Sequence, residues 1–105
     1  RLTGIFQPHL YSRTKDFATE FAQSLSLLDE LILLDIYPAR EEPIPGVTSE
    51  LIFNQVKTDR KILVSKENLV EEIKKRKPEL LISMGAGDIG EMVGEIKNVI
   101  KELDA

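Results

Sequence analysis

The stretch Arg1-Leu2-Thr3-Gly4-Ile5-Phe6-Gln7-Pro8-His9-Leu10-Tyr11-Ser12-Arg13-Thr14 decides how the chain is read. Its first half is largely apolar and predicts a buried strand over residues 2–7. Pro8 has no backbone donor and stops that strand. Ser12 or Thr14 is then expected to cap the helix that follows. In an open α/β sheet, the step from a strand's end to the next helix is where ligands bind. The chain's single histidine, His9, falls in that step with Tyr11, Ser12 and Arg13. Imidazole, phenol, hydroxyl and guanidinium groups beside the positive end of a helix suit an anion.

Outward from this junction, apolar runs alternate with amphipathic ones, the pattern of βα units around a mainly parallel sheet. Phe17, Ala18, Phe21, Ala22, Leu25 and Leu28 recur at helical spacing and predict a helix over about residues 14–27. Leu31 to Leu34 is a continuous apolar run, as expected of a strand covered on both faces. The loop from Ile36 to Gly46 is stiffened by Pro38, Pro43 and Pro45. Thr48 or Ser49 is expected to cap a helix through Val56, with Glu50 in its first turn. Ile62 to Val64 predicts a short strand, and the helix after Ser65 is stopped by Pro78. Leu80 to Met84 predicts the last strand. A final helix from near Asp88 is expected to bury Ile89, Met92, Val93, Ile96, Val99 and Ile100. The alternation predicts an α/β fold: a Rossmann-like, doubly wound, mainly parallel sheet of about four strands with helices on both faces. The strand ends would then collect His9, Asp35 and Gly85 along one edge.

Composition narrows the function classes. A chain of 105 residues is one domain near the lower end of self-sufficient sizes. The net charge of −4 argues against a nucleic-acid surface, where basic residues must outnumber acids locally. The basic run Lys74-Lys75-Arg76-Lys77 reads as cations at a helix C-terminus. With no cysteine there is no disulfide framework, thiolate chemistry or cysteine zinc site, which fits a reducing cytoplasm. No apolar run reaches membrane-spanning length, and no metal-ligand spacing stands out.

Gly85-Ala86-Gly87-Asp88-Ile89-Gly90 satisfies Gly-x-Gly-x-x-Gly between a strand and a helix, the dinucleotide fingerprint. Two features oppose that use. Only one helix follows, so the acidic residue expected at the next strand's end is missing. Asp88 would also repel a pyrophosphate at the helix N-terminus, while suiting an N-cap. A tight turn carrying the backbone of Gly85 and Gly87 close to another domain or to a nucleotide's edge is the favoured reading.

Three blocks together carry a family resemblance. Phe6-Gln7-Pro8-His9 with Tyr11-Ser12-Arg13-Thr14, then Leu34-Asp35-Ile36-Tyr37-Pro38-Ala39-Arg40-Glu41-Glu42-Pro43-Ile44-Pro45-Gly46-Val47, then Gly85-Ala86-Gly87-Asp88-Ile89 stand in order over nearly the whole chain. They resemble the C-terminal domain of the UDP-N-acetylmuramate–L-alanine ligase family, among the Mur ligases of peptidoglycan synthesis. The resemblance implies ATP and Mg2+ in the intact enzyme, with neither bound by this piece alone. It implies L-alanine and UDP-N-acetylmuramate as substrates, and a central ATPase domain and an N-terminal domain as partners.

The family's domain opens upstream with an Asp-Tyr-x-His-His-Pro-like block, so residues 1–105 are expected to be a partial domain. The absence of a Gly-x-x-x-x-Gly-Lys-Ser/Thr phosphate loop agrees with that expectation. By resemblance, His9 and Arg13 match positions that face the incoming alanine and the acyl-phosphate. Leu10 stands where many members have a second arginine. Tyr11, Asp35, Tyr37 and Arg40 are expected to join the amino-acid site, and the Ile36–Gly46 loop to close over it. Gly85, Gly87 and Asp88 are expected near the active site, and no residue of the chain is assigned a catalytic role. Glu41 and Glu42 read as charges of a solvated loop, shared with Arg40, whose charges pair with each other. The alternatives are a related ligase that adds a preassembled peptide, a dinucleotide-binding Rossmann fragment, and a flavodoxin-like or receiver-like binding module.

Overall fold

Leu31, Ile32, Leu33 and Leu34 have no exposed surface, and their strand is the centre of the fold. A computed structural model describes residues 2–38, 40–78, 80–85, 96–98 and 101. The elements run β1 (Leu2–Gln7), α1 (Tyr11–Leu25), β2 (Glu30–Leu34), α2 (Glu50–Phe53), β3 (Arg60–Val64), a 3-10 turn (Lys66–Asn68), α3 (Leu69–Arg76) and β4 (Leu80–Gly85). Residues 96–98 and 101 are helical, in agreement with the expected last helix. Gly87, Asp88, Gly90 and the expected core residues Ile89, Met92, Val93, Val99 and Ile100 lie outside the described residues.

The four strands form one parallel sheet in the order β3-β2-β1-β4. Side chains alternate between its faces, which is why the Leu31–Leu34 run of β2, covered on both, is apolar. Leu31 and Leu33 pack under α1 and α2 with Ala18, Ala22, Leu25, Ile52 and Val56. Ile32 and Leu34 pack with Ile5, Leu69, Ile73 and Ile96 on the opposite face. Fully burying one such aliphatic side chain is worth about 1.5–3 kcal/mol, so this strand anchors both layers. The fold is therefore α/β and Rossmann-like, with helices on both faces.

Several local expectations are corrected. α1 begins at Tyr11, and neither Ser12 nor Thr14 caps it, because both lie inside its first turn. Leu10 occupies the N-cap position instead. α1 also kinks at Phe17 (φ −120°, ψ 17°), which leaves that ring 49% exposed and edge-on to Phe21. Phe17 is thus not a core residue. α2 is a single turn that ends before Val56, although Val56 is still buried. Ser49 is drawn inward, where its hydroxyl donates to the Leu34 carbonyl at 2.6 Å, and Thr48 Oγ1 accepts the Glu50 amide at 3.2 Å. The basic run does lie at the end of α3, but Arg76 turns back into the fold. Its Nη1 meets buried Glu30 Oε2 at 2.6 Å, and its Nε meets Glu72 Oε1 at 2.7 Å. Burial opposes the charge on Arg76, and the hydrogen bonds to Glu72 and Glu30 outweigh it and hold its pKa above the usual value.

The strand order places a switch point between β1 and β4, because β2 and β3 grow away from β1 on one side and β4 returns on the other. The two strands close there on Gly85, paired with Gln7. Gly85 has φ +119°, and a Cβ at that position would lie 2.5 Å from the Gln7 carbonyl oxygen. Gly46 also has positive φ (+80°), but a Cβ there meets nothing within 4 Å. Gly85→Ala should therefore destabilise the fold by about 3 kcal/mol and Gly46→Ala by about 1 kcal/mol. Denaturant unfolding of the two variants checks this, and equal losses would remove the close approach at the switch point.

Candidate functional site

The candidate site is the C-terminal rim of β1 and β2. After Gln7 ends β1, Pro8 and His9 continue beside the segment that leaves β2. The Tyr37 amide donates to the Pro8 carbonyl at 2.8 Å, and the Leu10 amide donates to the Tyr37 carbonyl at 2.9 Å. This isolated parallel bridge sets the His9 and Tyr37 rings 5.8 Å apart at an interplanar angle of 14°. Such offset stacking turns two side chains into one flat wall. The predicted strand end therefore extends past Pro8 as a two-strand ledge.

Leu10 makes the turn from ledge to helix with φ 71° and ψ 139°. A non-glycine residue held there costs on the order of 1–3 kcal/mol and persists only where its surroundings over-determine it. They do. Its amide is fixed by Tyr37, and its carbonyl accepts both the Thr14 amide (3.1 Å) and Thr14 Oγ1 (2.8 Å). This explains why Thr14 is fully buried without being a cap.

The first turn of α1 has no acidic residue and no capping side chain, so its amides need an outside acceptor. Glu41 supplies it from the proline-rich loop. Ser12 N–H donates to Oε1 at 3.1 Å and Ser12 Oγ to Oε2 at 2.5 Å. These two bonds, more than a further one from the Tyr11 amide and the nearby His9, hold the Glu41 carboxyl below the usual carboxylate range. The expected anion site at this helix start is thus occupied by the chain's own carboxylate. The reading of Glu41 as a solvated charge paired with its loop neighbours is corrected. Glu42 remains exposed.

The Ser12–Glu41 contact also puts their neighbours, Arg13 and Arg40, on the same rim. Both are exposed, and among the described residues neither guanidinium has an ion-pair or hydrogen-bond partner. Tyr11 is half-buried, and Asp35 is exposed at the end of β2. Gln7 lies only 2% exposed beneath the rim, and its Nε2 donates to the Asp35 carbonyl at 3.3 Å. A cavity of about 140 Å³ opens there between Gln7, Asp35, Ile36, Lys66 and Glu67. So the structure gathers His9, Tyr11, Arg13, Asp35, Tyr37 and Arg40 along one edge. It adds Glu41 and Gln7, which the sequence did not single out.

Gly85 reaches the same edge, where its positive φ and its approach to Gln7 account for the glycine without a dinucleotide. Gly87 and Asp88 lie outside the described residues. Among the described residues no three His, Asp or Glu side chains gather to hold a metal ion. No helix among them is long and apolar enough to cross a membrane.

No family model matches the chain. Curated relatives do. The chain is 57% identical over 100 residues to a protein of Parabacteroides distasonis named UDP-N-acetylmuramate–L-alanine ligase, covering 95% of this chain and 22% of the relative. It is 53% identical over 104 residues to the protein of that name from Flavobacterium psychrophilum, covering 99% of this chain and 22% of the relative. A third, from Phocaeicola vulgatus, is 52% identical over 103 residues, again covering 22% of its own length. The chain spans about a fifth of the relatives it matches, at their C-terminal end. Over nearly all of its length, the chain is a homologue of the C-terminal part of UDP-N-acetylmuramate–L-alanine ligases.

Proposed function

We propose that the chain is the C-terminal domain of an ATP-dependent ligase that joins L-alanine to the lactyl carboxylate of UDP-N-acetylmuramate. The observation that carries this reading is the rim itself. Arg13 and Arg40, whose guanidinium groups have no ion-pair or hydrogen-bond partner among the described residues, share a strand-end rim with the stacked His9–Tyr37 wall. The names of the relatives supply the substrate class.

In this reading the substrate carboxylate is phosphorylated elsewhere in the intact enzyme, and the alanine amine then attacks the acyl-phosphate. This domain brings the amine. An arginine fork holds a carboxylate through two parallel hydrogen bonds, so Arg13 grips the alanine carboxylate and leaves its amine free. The His9–Tyr37 wall limits the orientations open to the amino acid. The 36–46 loop covers the site and keeps water from the acyl-phosphate, which hydrolysis would otherwise consume. A related ligase that adds a preassembled peptide would use the same anchor for the peptide's carboxylate. Comparing alanine with short peptides as acceptors separates the two.

Arg13→Ala in the intact ligase should raise the alanine KM by roughly 30- to 100-fold, the size of one charge-assisted bidentate contact of about 2–3 kcal/mol, and leave the ATP KM nearly unchanged. Equal effects on both would move Arg13 out of the amino-acid site. The isolated chain should release no phosphate from ATP in the presence of alanine, since it has no phosphate loop. Alanine-dependent phosphate release by the purified chain would overturn that assignment. Pro43 and Pro45 are exposed, so Pro43→Gly and Pro45→Gly should lower kcat while leaving the melting temperature close to the parent's. Unfolding by either change would make the loop structural.

A further inference from the structure

We propose that Glu41 is a positioning residue: by clamping the 36–46 loop to Ser12, it fixes the rim that carries His9, Tyr37, Arg13 and Arg40. The inference rests on the reading of this rim as the amino-acid site. It begins from a closed ring of contacts. The Tyr37 backbone is tied to Pro8 and Leu10. The chain then folds back on itself, with the Glu41 amide donating to the Pro38 carbonyl at 2.9 Å. The Glu41 carboxylate closes the ring on Ser12, on the far side of the strained Leu10 turn.

Three properties of the ring point to positioning and not to support of the core. None of Leu10, Tyr37, Arg40 and Glu41 belongs to either apolar cluster of the sheet. Arg40 lies between Pro38 and Glu41, so its backbone is placed by the contacts of those two residues, while its guanidinium stays unpartnered among the described residues. Leu10 is held at positive φ by bonds from both directions, an arrangement that costs stability and serves to aim what precedes it, His9. A loop tied only at Tyr37 would leave Arg40 free to swing. The clamp removes that freedom before substrate arrives, which is how preorganisation raises affinity.

The test uses the intact ligase with Glu41→Ala, Ser12→Ala, the double variant and Glu41→Gln, and measures melting temperature and the KM for each substrate. Glu41→Ala should raise the alanine KM about tenfold, and Ser12→Ala, which keeps the amide bond to Glu41, by less, with the ATP KM within about twofold in both. The double variant should be no worse than Glu41→Ala, because the Ser12 hydroxyl acts only through the clamp that Glu41 makes. Glu41→Gln, which keeps an acceptor for the Ser12 amide, should recover most of the affinity. Additive losses, or a fall in melting temperature with the KM values unchanged or raised together, would overturn the proposal. Arg13→Ala distinguishes the two levels. If it raises the alanine KM and Glu41→Ala does not, the positioning role alone fails. If both selectively raise the KM of the nucleotide substrate, the rim's ligand is reassigned and the clamp stands. If neither is selective, both readings fall.

Discussion

Helix α1 begins with no capping side chain of its own, and a carboxylate from a loop 29 residues away accepts the Ser12 amide in its first turn. The candidate site depends on that contact. A helix start concentrates orphan donors and the positive end of the dipole, so an anion placed there is stabilised by both. Here the anion is Glu41, and the bond that satisfies the helix also decides where the 36–46 loop lies. One interaction thus joins local helix chemistry to the geometry of the rim. The same contact explains why Ser12, which looks like a cap, serves as a donor instead: its hydroxyl and its amide both point to the incoming carboxylate.

The second constraint is the switch point. β1 is flanked by β2 and β4, so the direction in which the sheet grows reverses beside β1, where His9 follows the strand end. Gly85 lets β1 and β4 approach closely at that edge. Gln7 lies beneath it. It is almost fully buried, and its amide side chain reaches the Asp35 carbonyl, so the ends of β1 and β2 are held together by a side chain just below the ledge made by the backbone.

The strands were legible because each is an apolar run of ordinary length bounded by charge or proline, and because β2, covered on both faces, has no polar interruption to mislead. The coarse placement of His9, Asp35 and Gly85 on one edge followed from alternation alone. What failed was local. Phe17 fits the helical period, yet α1 kinks there, and periodicity carries no signal for a kink. Ser12, Thr14 and Ser49 are cap-type residues at cap-type positions, but Ser12 and Ser49 each bond a group distant in sequence, and Thr14 bonds back to the Leu10 carbonyl four residues earlier. Glu41 was missed for the complementary reason: its partner is distant in sequence. The available sign was negative, an α1 first turn with no acid and no cap, which implies an acceptor from elsewhere.

Leu10 shows how the family resemblance and the physical reading bear on each other. The resemblance implies an arginine at this position in many members, and with it the loss of a carboxylate contact in this chain. The structure gives the position a different principal role. Both backbone groups of Leu10 are engaged, the amide with Tyr37 and the carbonyl with Thr14, and its φ is forced positive between them. Those contacts involve no side-chain atom of Leu10, so either residue type satisfies them. The turn that aims His9 is thereby insulated from the substitution. In the proposed site, carboxylate binding in this chain falls to Arg13 and to Arg40, the latter held on the rim by the clamp at Glu41.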